Sequence, residues 1–264
     1  MKKVFRDYDQ AELDRQYEQR SFVPHADEII KRWGVMSDAV RGRIGEPETL
    51  AYGTTPTEQL DVYGGRKPRV VAFVHGGAWK RMSKRPNAFA AETFIEVGAS
   101  YVAIGFGLLP AITLPQMAGQ VVQALNFLQW ELKPKELVLI GHSSGAHLAA
   151  CALTRLDFPK GALLVSGVYD LLPVRLSARN EYVRIDERLE QEYSPIHHVE
   201  RIKSPVTVAW GENEGAEFFR QSKEFAQKLG APTLVGGALN HFEMIETLAD
   251  PRSPLARAAL NMLR

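Results

Sequence analysis

A single cysteine, Cys151, in 264 residues rules out an internal disulfide and suits a reducing compartment, the cytoplasm. An excess of either charge is also missing. Lys and Arg number 32 against 31 Asp and Glu, with no long basic tract, so nucleic acid and anionic membrane surfaces are poor partners. No apolar run approaches the ~18 residues that cross a bilayer. The basic start, Met1-Lys2-Lys3, leads into Arg6-Asp7-Tyr8-Asp9 rather than the apolar core of a secretory signal. Metal-ligand spacing is lacking: His142 and His147 stand five apart, off one helical face, and adjacent His197 and His198 point apart. A nucleotide loop is lacking too, because Gly105-Phe106-Gly107 continues as Leu108-Leu109-Pro110 without a third glycine. No metal or cofactor is expected. The partner expected is a small-molecule substrate, with a homodimer left open.

Repeats, low-complexity segments and flexible linkers are likewise missing, so residues 1–264 read as one domain. Residues 1–45 are charged, with apolar positions at helical spacing (Leu13 and Tyr17, then Ile29, Trp33, Met36 and Val40), and predict a helical arm or cap. Thr49–Tyr63 predicts an edge hairpin. Strands follow at Arg69–His75, Ser100–Gly105, Glu136–Gly141, Gly161–Ser166, Val206–Gly211 and Pro232–Gly236, with helices near 86–97, 114–132, 144–156, 215–230 and 252–263. Continuous apolar runs such as Val70-Val71-Ala72-Phe73-Val74 fit strands covered on both faces. The class is α/β: a mostly parallel, doubly wound sheet with flanking helices, binding its ligand beyond the carboxyl ends of the strands. Residues 171–203 break the rhythm and are a candidate lid.

What is present at those strand ends is chemistry. Gly141-His142-Ser143-Ser144-Gly145 sits between the apolar run Leu137–Ile140 and the helix former Ala146–Ala150. That is the strand, sharp turn and helix of a nucleophile elbow, which lifts Ser143 Oγ above the first amides of a helix. His75-Gly76-Gly77-Ala78-Trp79 leaves the first long strand. A turn of this kind offers the N–H of Gly76 or Gly77, with that of Ser144, to a developing oxyanion. One such donor is worth about 3–4 kcal/mol of barrier.

A serine hydroxyl needs a base. Of seven histidines, His75, His142 and His147 belong to the motifs, His25 to the arm, and His197 and His198 to the irregular segment. His241 follows the last strand, opens a helix and succeeds every candidate acid, in the order Ser, acid, His. For the acid, Glu214 leads, in Gly211-Glu212-Asn213-Glu214-Gly215 after the strand Val206–Gly211; Asp170 and Glu212 remain alternatives. Trp79 and Phe106, aromatics near strand ends, are candidates to line an aryl pocket, with core packing the competing reading.

Together these stretches resemble the hormone-sensitive-lipase-like esterase group of α/β-hydrolases, and within it the serine-dependent kynurenine formamidases. The resemblance spans most of the chain: Tyr52-Gly53 with Glu58–Tyr63, Phe73–Trp79, Leu109-Pro110 with Thr113–Met117, Gly141–His147, Ser166–Leu171, Glu217-Phe218 with Gln221-Ser222, and His241-Phe242. It implies the α/β-hydrolase fold. It also implies hydrolysis of a small acyl group, formyl in type, on an aryl amine through an acyl-serine. The family's nucleophile, oxyanion turn and base fall on Ser143, Gly76/Gly77 and His241. Two positions depart from its pattern: Glu214 stands where the family has Asp, and Ala78 where an aromatic residue is usual. The resemblance makes Asp170 structural. A carboxylesterase acting on short-chain or aryl esters would use the same residues. A non-catalytic binding module would be expected to have lost the nucleophile, the base or the oxyanion glycines, and this chain carries all three.

Overall fold

Eight strands form one sheet in the computed structural model, which describes residues 2–264. They are β1 (Glu48–Ala51), β2 (Gln59–Tyr63), β3 (Arg69–Val74), β4 (Ser100–Ile104), β5 (Glu136–His142), β6 (Gly161–Val165), β7 (Val206–Gly211) and β8 (Thr233–Gly236). Their order is β1-β2-β4-β3-β5-β6-β7-β8, antiparallel across β1-β2-β4 and parallel from β4 to β8. This is the α/β-hydrolase fold.

Strand alternation divides the core into two layers. Val70, Ala72 and Val74 of β3 join Leu137 and Leu139 of β5 on one face. There they meet α1 (Gln10–Gln16), α4 (Leu114–Glu131), α5 (Ser144–Leu153) and α9 (Ala216–Leu229). Val71, Phe73, Val138 and Ile140 face α2 (Ala26–Ile44), α3 (Ala91–Ile95), α10 (His241–Glu246) and α11 (Pro254–Met262). The buried positions of α9 are Glu217, Phe218, Gln221, Ser222, Phe225 and Ala226, the last five at i, i+3, i+4, i+7 and i+8 of one helical face.

The N-terminal segment is more than an arm. Ile29, Trp33 and Val40 are buried in the second layer, which makes α2 an integral helix of the fold. Residues 171–203 form three short helices, α6 (Leu172–Leu176), α7 (Asn180–Val183) and α8 (Glu187–Tyr193), and two 3-10 turns. Arg175 pairs with buried Glu190 at 2.7 Å and joins the first of these helices to the last. The helix expected over 86–97 is instead a 3-10 turn at Arg85–Asn87 followed by α3. The hydroxyl of Tyr101 donates to the Asn87 carbonyl at 2.7 Å and so diverts that carbonyl from helical pairing.

Candidate active site

The elbow connects β5 to α5. Ser143 lies at φ 56°, ψ −124°, a strained region for a residue with a Cβ that costs about 1–3 kcal/mol. Its N–H donates to the Val165 carbonyl at 2.8 Å and ties the turn to β6. Gly145 permits the geometry, because a Cβ there would sit 2.2 Å from the Val74 carbonyl oxygen. Ser143 stands at the N-terminus of the ten-residue α5, where helix amides favour negative charge.

His241 is the first residue of α10. A capping box sets its backbone: Asn240 Oδ1 accepts from the amides of Phe242 (2.9 Å) and Glu243 (3.0 Å), and Glu243 accepts from the Asn240 amide at 3.2 Å. His142 adds a clamp by donating its Nε2–H to the His241 carbonyl at 3.0 Å. Burial and the neighbouring His241 ring hold the His142 imidazole well below the usual histidine range, so it stays neutral. Trp33 meets it edge-on, with ring centroids 5.9 Å apart.

Three side chains then line up. Glu214 Oε2 is 2.9 Å from His241 Nδ1, and His241 Nε2 is 3.0 Å from Ser143 Oγ. A carboxylate only accepts, so Nδ1 carries the proton and Nε2 is left to accept from the serine hydroxyl. The other oxygen of Glu214 takes the Ser166 hydroxyl at 2.5 Å and the Gly211 amide at 2.6 Å, and no part of the side chain is exposed. The alternative acids are engaged elsewhere. Asp170 Oδ1 accepts from the Leu172 amide at 3.0 Å, and Glu212 accepts from the Ala238 amide at 3.0 Å on the surface.

The oxyanion turn follows β3. Gly77 adopts φ 113°, where any Cβ would lie 2.1 Å from the Arg81 carbonyl oxygen. Gly77 and Ala78 line a cavity of about 700 Å³ together with Ser143, His142 and His241, whereas Gly76 does not. Gly76 is a spacer, since a Cβ there would come within 3.0 Å of the Ser143 Cβ. The amides of Gly77, Ala78 and Ser144 meet no acceptor among the described residues. Ala78 as a donor was missed from the sequence; its one signal is its place directly after the two glycines.

Trp79 and Phe106 do not line the cavity, and their assignment to an aryl pocket is corrected. The Trp79 ring is buried and donates its Nε1–H to His147 Nδ1 at 3.2 Å, while His147 donates Nε2–H to the Tyr193 carbonyl at 2.8 Å. Phe106 stacks on His75 with centroids 4.3 Å apart. Both rings therefore belong to the packing beneath the site. The walls come from Tyr17–Arg20 after α1, from Trp33 and Ile30 of α2, and from Ser177–Arg179, Glu181 and Tyr182. Charged and polar residues in those segments carried no sequence signal for a binding role. The N-terminal wall is fastened to α9. Tyr17 donates its hydroxyl to buried Glu217 at 3.3 Å and accepts from Gln221 at 2.9 Å, and Arg220 pairs with Glu217 through two 2.8 Å contacts.

Among the described residues no three His, Cys, Asp or Glu side chains converge as metal ligands would, and no helix is long and apolar enough to cross a membrane. The arrangement can activate a hydroxyl, stabilise an oxyanion and protonate a leaving group.

A family model described as BD-FAE matches residues 60–157. The chain is 33% identical to a kynurenine formamidase of Danio rerio over 96% of each protein, and 31% identical to one of Salmo salar over 98% of each. A hyperthermophilic esterase of Pyrobaculum calidifontis superposes with a TM-score of 0.74 at 16% identity, covering 92% of this chain and 93% of its own.

Proposed function

The chain belongs to the kynurenine formamidase family, and from that premise we propose that it hydrolyses the formyl group from an N-formyl aryl amine, with N-formylkynurenine as the type substrate. The observation that carries the reading is the continuous relay Glu214–His241–Ser143, at 2.9 and 3.0 Å, facing the cavity.

Ser143 Oγ attacks the formyl carbon while its proton passes to His241 Nε2. Glu214 holds the ring in the required tautomer and stabilises the imidazolium. The oxyanion takes the amides of Gly77, Ala78 and Ser144. His241 then delivers its proton to the aryl nitrogen, the C–N bond breaks, and the free amine leaves. Water, deprotonated by His241, attacks the formyl ester of Ser143. Formate departs and the serine recovers its proton. The reaction needs no partner beyond its small-molecule substrate. We place it in the cytoplasm, a reading supported by the buried Cys151, the sole cysteine of the chain.

Initial rates on N-formylkynurenine, a formanilide and p-nitrophenyl acetate test the reading. Formate released from the formamides at a higher kcat/KM than acetate from the ester supports it. Rapid ester turnover with negligible formamide cleavage overturns it in favour of a carboxylesterase. A fluorophosphonate that fails to label the intact chain overturns catalysis altogether.

A further inference from the structure

We propose that Arg179 selects substrates bearing a carboxylate, by holding that group against the wall of the cavity that contains Ser143; the inference deepens the formamidase reading and rests on it. Arg179 lines the same cavity as Ser143 and His241. It is half-buried, its guanidinium lies 5.5 Å from the Tyr17 ring centroid and 6.0 Å from that of Trp79, and one Nη2–H donates to the Tyr17 carbonyl. Its orientation is thus set before a ligand arrives.

What it lacks is a counter-ion. Among the described residues no Asp or Glu lies within ion-pair distance of it. Arg20, on the facing N-terminal segment of the same cavity, is neutralised by Asp27 at 2.7 Å. A guanidinium stays charged at every physiological pH and offers five N–H donors in a planar fork. Here one of them meets a neutral carbonyl and none meets an anion. A partly desolvated cation of this kind beside a reaction centre is completed by a planar monoanion, and a carboxylate matches the fork with two parallel bonds. Lys80 and Arg81 also line the cavity without an acidic partner, and Asp14, Glu18 and Glu181 on the same lining offset their charge and weigh against a multiply charged anion. The group read is therefore a single carboxylate, remote from the scissile bond on the substrate, and an adjoining ammonium is tolerated.

The test compares N-formylkynurenine with 2-formamidoacetophenone, which keeps the scissile formamide and lacks the carboxylate. Wild type, Arg179→Gln (a donor without charge) and Arg179→Lys (a charge without the fork) are assayed on both, and their melting temperatures are measured. Arg179→Gln is expected to raise KM for the carboxylate substrate about 10- to 100-fold, with kcat within about threefold and the neutral substrate unaffected, and Arg179→Lys to fall between. Equal losses on both substrates, or no change on either, overturn the proposal. A pair of aryl acetates with and without a carboxylate is run in parallel. Should only the esters turn over, the formamidase reading fails, and the same comparison on that pair still decides Arg179.

Discussion

The floor and the walls of the cavity are built in opposite ways. The floor consists of three turns at the carboxyl ends of parallel strands: Ser143 after β5, Gly77 and Ala78 after the adjacent β3, and the Gly211–Glu214 loop after β7, which β6 separates from β5, with His241 opening α10. Ser143 and Gly77 are fixed at positive φ, His241 by the capping box at Asn240, and Glu214 by the Ser166 hydroxyl and the Gly211 amide. The walls consist largely of side chains on irregular segments and short helices, Tyr17–Arg20 and Ser177–Arg179 with Glu181 and Tyr182, backed by Ile30 and Trp33 of α2, and the N-terminal segment is fastened by long-range hydrogen bonds. The triad stands where the backbone is rigid, and the proposed selection by Arg179 where side chains lie outside the sheet.

Substitutions can break that comparison. On the floor, Ser143→Ala or His241→Ala is expected to lower kcat by about five to six orders of magnitude with the fold intact, checked by initial rates and circular dichroism. Glu214→Gln is expected to cost about three to four orders, because the ring loses its fixed tautomer, while Asp170→Asn stays within about threefold. The reverse pattern would move the acid to Asp170.

Beneath the floor, the fully buried His75 and His147 are both pushed down by burial, each to about 4. The unfolded chain binds their protons below about pH 6.5 and the folded chain does not, so stability falls as pH drops from about 6.5 towards 4, each histidine contributing up to about 1.4 kcal/mol per pH unit. Denaturant titrations across that window should show a slope one proton shallower in His147→Gln. The smallest effect belongs to the wall: Tyr17→Phe removes one buried hydroxyl, costs about 1 kcal/mol and lowers Tm by about 2–4 °C, read by thermal unfolding, with kcat unchanged. A large fall in kcat there would erase the division between floor and wall.

The same division explains what could be read from the sequence. The parallel strands from β3 to β7 are legible to within about two residues because burial on both faces leaves continuous apolar runs, whereas the exposed edge strand β8 is legible from its place between α9 and the His241 loop. The elbow was legible because a strand, two glycines, a serine and a helix former occur in one short stretch. Glu214 was legible as one of three acids, but only the approach of α10 to the loop after β7 brings its carboxylate to the imidazole. Trp79 and Phe106 were misplaced because an aromatic beside a motif looks the same whether it faces ligand or core. Their partners, His147 and His75, decide the matter, and the contact between Trp79 and His147 spans 68 positions. Arg179 carries no local pattern, since nothing in the sequence between two short helices says which cation lacks an acid.

Tyr17 reaches Glu217 and Gln221 across 200 and 204 positions of chain. On the ribosome, the nucleophile turn at Ser143 is synthesised more than seventy residues before the groups that anchor the N-terminal wall. Because Glu217 and Gln221 precede His241 in the chain, each new molecule holds every residue that anchors the N-terminal wall before the base that activates its hydroxyl has been made.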